Sequence, residues 1–122
     1  MSKVFTDVQI FMNAAGQTTI ENNPEQAILY HRLINEEYNE FTEARLDNDD
    51  VETADACFDM IWVIVGYMLS RGWDCNKIWD EGSLSNLRKI DKETKKVLKR
   101  DDGKVLKPEG WTPPDFSKCI SV

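Results

Sequence analysis

Glu52-Thr53-Ala54-Asp55-Ala56-Cys57-Phe58-Asp59-Met60-Ile61-Trp62-Val63-Ile64-Val65-Gly66 is the stretch on which the fold turns. From Met60 to Leu69 the chain is apolar nearly all round, the pattern of a helix central to a bundle. The half before it breaks that pattern. Glu52, Asp55 and Asp59 recur at i, i+3 and i+7, within an arc of about 60° on a helix. Val63 and Gly66 continue the same arc, so acids share a face with residues that belong in a core. Asp49 or Asp50 supplies an N-cap, and Arg71-Gly72-Trp73-Asp74 reads as stop, turn and next cap. The spacing predicts a third helix over 50–71.

The segment before it repeats the anomaly. Asn23 caps a predicted second helix over 25–46, with Pro24 at its first position. Ala27, Tyr30, Leu33, Ile34, Phe41 and Ala44 define one apolar face, and its centre falls near Glu37. Glu40 and Glu36 lie progressively towards one edge, and Glu43 lies off the face. A glutamate inside an apolar stripe costs on the order of several kcal/mol unless it is neutralised, paired or bound to metal. Leu46-Asp47-Asn48-Asp49-Asp50 is a connection of the length that joins antiparallel neighbours. Helical angle alone ranks the six carboxylates: Glu37 and Asp59 are most central, Glu40 and Asp55 follow, and Glu36 and Glu52 stand at the edges.

The rest of the chain frames this pair. Val4, Phe5, Val8, Phe11 and Met12 predict a short amphipathic helix over 3–14, with Ile10 off the stripe and Ala14-Ala15-Gly16 at its end. A polar loop follows over 16–24. A fourth helix is expected over 74–91, carrying Ile78, Trp79, Leu84, Leu87 and Ile90, and weakened at Gly82 by about 1 kcal/mol relative to Ala. Two β-prone runs flank Asp102-Gly103 and allow a small hairpin. Pro108, Pro113 and Pro114 argue against helix beyond it. The expectation is an all-α four-helix bundle in one domain over 1–122, with a helical core over 3–91 and a basic, proline-containing tail over 92–122.

Charge is polarised along this layout. The net charge is −7, yet nine of the 15 Lys and Arg residues lie between Arg88 and Lys107. An acidic surface overall argues against a nucleic-acid partner. No secretory leader pattern is present, and the Met60–Leu69 run is far short of a membrane span. Cys57, Cys75 and Cys119 show no C-x-x-C spacing and read as free thiols in a reducing cytoplasm. No phosphate-cradling Gly-x-x-x-x-Gly-Lys-Ser/Thr loop occurs. The only histidine, His31, precedes the acids, which disfavours a di-iron arrangement built on Glu-x-x-His.

Two antiparallel helices that each offer carboxylates on facing sides suit hard divalent cations, which prefer oxygen ligands and bridge carboxylates to phosphates. Such ions would offset the repulsion within the cluster, screen a phosphate chain and polarise water. A carboxylate left over could act as general base.

Glu36-Glu37-x-x-Glu40, a short spacer, then Asp55 and Asp59 leading into Met60-Ile61-Trp62-Val63-Ile64-Val65-Gly66 resembles the all-α nucleoside triphosphate pyrophosphohydrolases. That superfamily includes the MazG proteins, phosphoribosyl-ATP pyrophosphohydrolase and the dimeric dUTPases. Ser85-Asn86-Leu87-Arg88-Lys89, Gly103-Lys104-Val105-Leu106-Lys107 and Pro113-Pro114-Asp115 extend the likeness to small, often phage-encoded MazG-like members, over roughly 28–116. The resemblance implies cleavage of a nucleoside triphosphate to its monophosphate and pyrophosphate, with a purine such as dGTP or GTP favoured. Phosphoribosyl-ATP and pyrimidine deoxynucleotides are alternatives, and a non-catalytic nucleotide- or metal-binding regulator is the alternative of another class. It implies Mg²⁺ or Mn²⁺ held by Glu37, Glu40, Asp55 and Asp59, with Glu36 or Glu52 as further ligand or base. Asn86, Lys89, Lys104 and Lys107 become candidate substrate contacts. A homodimer or dimer of dimers is implied, in the cytoplasm of the cell or of a viral host, with no membrane partner. The family pattern is E-x-x-E, then E-x-x-D. Ala56 stands where a strict E-x-x-D ending at Asp59 needs glutamate, whereas Glu52-x-x-Asp55 keeps the pattern one turn earlier, so two registers stay open.

Overall fold

Three of the helices begin where a short polar side chain can close the first turn. Asn23, Asp49 and Asp74 accept backbone N–H groups from Gln26, Glu52 and Lys77, which satisfies donors that a helix start leaves unpaired. The computed structural model describes residues 2–120; the first residue and the last two of the expected domain lie outside the described residues. The elements are α1 (Lys3–Ala14), α2 (Pro24–Leu46), α3 (Asp50–Ser70), α4 (Cys75–Leu87) and a terminal turn of helix, α5 (Ser117–Ile120). No β-strand occurs among the described residues, and the protein is an all-α bundle.

α2 and α3 form the dominant antiparallel pair, and α1 packs across α3. Phe5, Val8 and Met12 of α1, Tyr30 of α2, and Val63, Val65 and Leu69 of α3 make the core, with Cys75 at the start of α4. Tyr30 lies flat against Gly66, where any β-carbon would overlap its ring, and its hydroxyl donates to Gln17 Oε1 at 2.6 Å. Gln26 ties the same end together, donating to the Thr18 carbonyl and to Ser70 Oγ, each at 2.8 Å. Gly72 closes α3 at φ 72°, and the backbone of Glu21 and Asn22 approaches it too closely for a side chain.

Two expected stripes are only partly buried. Val4 and Phe11 of α1 are exposed although Phe5, Val8 and Met12 are not. α3 is not buried all round: Ile61 and Ile64 are 54% and 46% exposed. α3 is also the one described helix long and apolar enough to cross a bilayer, with a mean hydropathy of 1.3 over its best window. Its packing along α2 is that of a core helix in a bundle.

α4 stops at Leu87, short of the expected residue 91. The last turn tightens, with Lys89 and Ile90 N–H donating to the Asn86 and Leu87 carbonyls, and Asp91 then turns the chain by accepting the N–H groups of Glu93 and Thr94. The hairpin around Asp102-Gly103 shrinks to a single bridge between Lys99 and Val105, because its arms are short and Pro108 cuts the second one off. The tail is ordered beyond that point. It returns antiparallel along α4, with Trp111 Nε1–H donating to the Ser85 carbonyl at 2.8 Å and Phe116 against Gly82. The Asp74 N–H donates to the Cys119 carbonyl at 3.0 Å and completes the clasp.

Candidate metal centre and its surroundings

The antiparallel pairing of α2 and α3 sets Glu37 and Glu40, one turn apart on α2, against Asp59 of α3. One oxygen from each of these three lies within 4.8 Å of the other two. Glu37 and Asp59 are half-buried, and Glu40 is exposed. Among the described residues no lysine or arginine forms an ion pair with any of them. Glu37 Oε2 is buried and has no hydrogen-bond partner. A buried, unpartnered carboxylate oxygen facing two further acids is costly as it stands, and a divalent cation would satisfy it.

The electrostatics carry the same signature. Burial first, then the adjacent Glu40 carboxyl and the charges of Asp59 and Asp55, push the Glu37 carboxyl up to about 7. Asp59 is raised as well, first by burial and then by the charges of Asp55 and Glu40, with the neighbouring Glu37 carboxyl partly opposing this. The carboxylates cannot all ionise together without a compensating charge.

The other predicted acids sit around this trio. Asp55 is exposed, near enough for its charge to act on both Glu37 and Asp59. Glu52 and Asp55 line an adjoining cleft of about 300 Å³ with Glu40, Glu43 and Asp49. Glu36 is exposed and stands outside both groups. The trio contains Asp59 rather than Glu52, which answers to the later of the two registers open in the sequence.

The predicted cations are gathered elsewhere. Ile61, Ile64 and Met68 line the groove beside α4, and helical geometry puts them on the side of α3 roughly opposite Asp59. Asn86 lines the same groove and so lies across α3 from Asp59, and Lys89 follows just past the end of α4. Lys89 Nζ donates to Asn86 Oδ1 at 3.1 Å, and Lys89 and Lys107 both stand 5.1 Å from the centre of the Trp111 ring. Lys104 is exposed in the turn after Gly103. The sequence pattern gave no cue to Trp111; the one available signal is an aromatic residue set directly after the basic run, at Gly110-Trp111-Thr112-Pro113.

Three carboxylates on facing antiparallel helices of an all-α bundle are suited to a divalent ion, and the comparison with known families supplies the class of protein. Residues 9–86 match phosphoribosyl-ATP pyrophosphohydrolase, and the chain belongs to that family, within the all-α nucleoside triphosphate pyrophosphohydrolases. It is thus a nucleotide pyrophosphohydrolase by family, and that family is typically dependent on a divalent metal. No curated protein sequence matches the chain.

Proposed function

We propose that the protein hydrolyses a nucleoside triphosphate between its α and β phosphates, releasing the monophosphate and pyrophosphate, with a purine substrate such as dGTP or GTP. The observation that carries this reading is the unpartnered Glu37 oxygen within a three-carboxylate cluster on facing helices. Glu37, Glu40 and Asp59 would hold the divalent ion, Mg²⁺ or Mn²⁺, with Asp55 as the adjacent acid. When bound, such an ion screens phosphate charge and polarises water. Asp55 and Glu52, exposed beside the trio, are the carboxylates left to take a proton from the attacking water at a side-chain oxygen. Glu36 is exposed and outside both acid groups, and has the weaker claim. Asn86, Lys89, Lys104 and Lys107 are the groups that would meet phosphate or sugar.

Asn86 shares a groove with Ile61 and Ile64, on the side of α3 away from Asp59, which favours a working unit of two copies. Val4, Ile61, Ile64, Trp79 and Leu87 expose apolar surface around a groove of about 740 Å³ between α1, α3 and α4, a face suited to burial against a second copy.

Phosphoribosyl-ATP is the second reading, favoured by the family match itself. A panel of ribo- and deoxynucleoside triphosphates plus phosphoribosyl-ATP, assayed for phosphate with and without added pyrophosphatase, decides between them. Signal that requires pyrophosphatase and Mg²⁺ supports pyrophosphohydrolysis and names the substrate. Nucleotide-dependent thermal stabilisation with no turnover on the whole panel would turn the assignment to a binding regulator.

A further inference from the structure

We propose that Trp111 is a positioning residue that assembles a phosphate-binding pair of ammonium groups, Lys89 and Lys107, from two segments of the chain. The proposal rests on the reading that the protein handles a nucleotide polyphosphate, and extends it to a residue beyond the family match.

The two lysines are 18 positions apart, one just past the end of α4 and one after the Lys99–Val105 bridge. Backbone hydrogen bonds from Asp91 to Lys96 and from Leu106 to Leu98 bring the two segments near each other, but they do not place the ammonium groups. Trp111 does: each Nζ stands 5.1 Å from its ring centroid. The ring is itself held at both ends. Its Nε1–H donates to the Ser85 carbonyl at 2.8 Å, and its backbone N–H donates to the Pro108 carbonyl at 3.1 Å, in a turn that Gly110 makes at φ 78°. Lys89 Nζ also donates to Asn86 Oδ1, which adds a second hold on that ammonium.

Neither ammonium has a carboxylate partner among the described residues, although acids outnumber cations 22 to 15 in this chain. Two like charges drawn to one ring repel each other, and the negative ring face offsets that only in part. An ammonium resting on a ring keeps N–H donors pointing outward. A multivalent anion bridging the pair relieves the repulsion and takes up those donors, and a phosphate chain has the charge and the oxygens for it. Trp111 also lines an adjoining cleft of about 730 Å³, where Arg88, Lys92 and Lys95 outnumber Asp91 and Glu109.

The test uses the full chain and inorganic tripolyphosphate without divalent metal, followed by calorimetry. Wild type is compared with Trp111→Leu and with protein carrying tetrafluorotryptophan at 111. That analogue keeps the shape and the N–H donor but drains the ring face of negative potential. Both changes are expected to weaken tripolyphosphate binding by about tenfold. On the hydrolysed nucleotide they raise KM while kcat stays within about twofold. Unchanged affinity in the fluorinated protein overturns the proposal, as does a wild type that binds no tripolyphosphate. Should Trp111→Leu fail to fold, the fluorinated protein decides alone. A wild type that releases no pyrophosphate from any nucleotide removes the enzymatic reading, yet the tripolyphosphate comparison still judges Trp111.

Discussion

Tyr30 of α2 lies flat on Gly66 of α3, and that contact sets the register of the acids. Seven residues on from Tyr30 is Glu37; seven residues back from Gly66 is Asp59. In an antiparallel pair these two steps run along the same seam. Gly66→Ala forces the ring aside and is expected to cost about 1–3 kcal/mol through overpacking. It also spreads Glu37 from Asp59, so weaker Mg²⁺ binding accompanies the lower melting temperature. Paired thermal and Mg²⁺ titrations check this; a destabilised variant with undiminished metal affinity would uncouple the packing from the site.

Metal dependence separates the carboxylates. Saturating Mg²⁺ or Mn²⁺ stabilises the folded chain by mass action, about 2.7 kcal/mol at a hundredfold excess over Kd. Glu37→Gln, Glu40→Gln and Asp59→Asn each remove most of that increment and most of the pyrophosphate release. Glu36→Gln, at an exposed position outside the trio, retains most of both. Differential scanning fluorimetry in metal and in EDTA reads the first effect. Equal losses for Glu36→Gln and Glu37→Gln would contradict the geometry.

The raised Glu37 carboxyl makes stability depend on pH with a definite sign. The folded chain keeps the Glu37 proton up to about 7, while the ordinary value is 4.5. Between those values the folded state binds more protons than the unfolded state, so stability in EDTA falls as pH rises across the window. Asp59, also raised, adds to the same slope. Metal competes with the proton, so Mg²⁺ affinity climbs through the same window and binding releases protons. Urea denaturation between about pH 5 and about pH 8 measures the slope, and Glu37→Gln flattens it. A wild type that gains stability across this range in EDTA would refute the assignment of Glu37.

The exposed apolar groove yields a separate prediction. Ile61→Glu places a charge on the α3 face that points away from the acids. On the two-copy reading it converts the assembly to monomer in light scattering, with helical content retained. A wild type that is already monomeric at working concentration counts against that reading.

The helical pair was legible because both of its signals are local. Asn23, Asp49 and Asp74 announce helix starts, and the acids betray themselves by standing on apolar faces. Angular ranking put Glu37 and Asp59 first, and these are the two half-buried members of the observed trio. What stayed hidden depends on contacts far apart in sequence. The exposure of Ile61 and Ile64 goes with the slight packing of α4 on that side of α3. The early end of α4 goes with the tight turns at Lys89 and Ile90 and the Asp91 turn that follows them. The return of the tail along α4 follows from single hydrogen bonds at Trp111 and Asp74, which leave no periodic trace in the sequence.

The placement of the three free cysteines gives the molecule a built-in address for chemistry. Cys75 and Cys119 are buried, and the Cys75 thiol is pushed up to about 11 by burial and by Asp74. Cys57 is exposed, between Asp55 and Asp59 on α3. A thiol-directed spin label will therefore attach at one position in the unaltered chain, close to the acid trio. Bound Mn²⁺ will broaden its spectrum through space, so occupancy of the centre can be followed without substituting a residue.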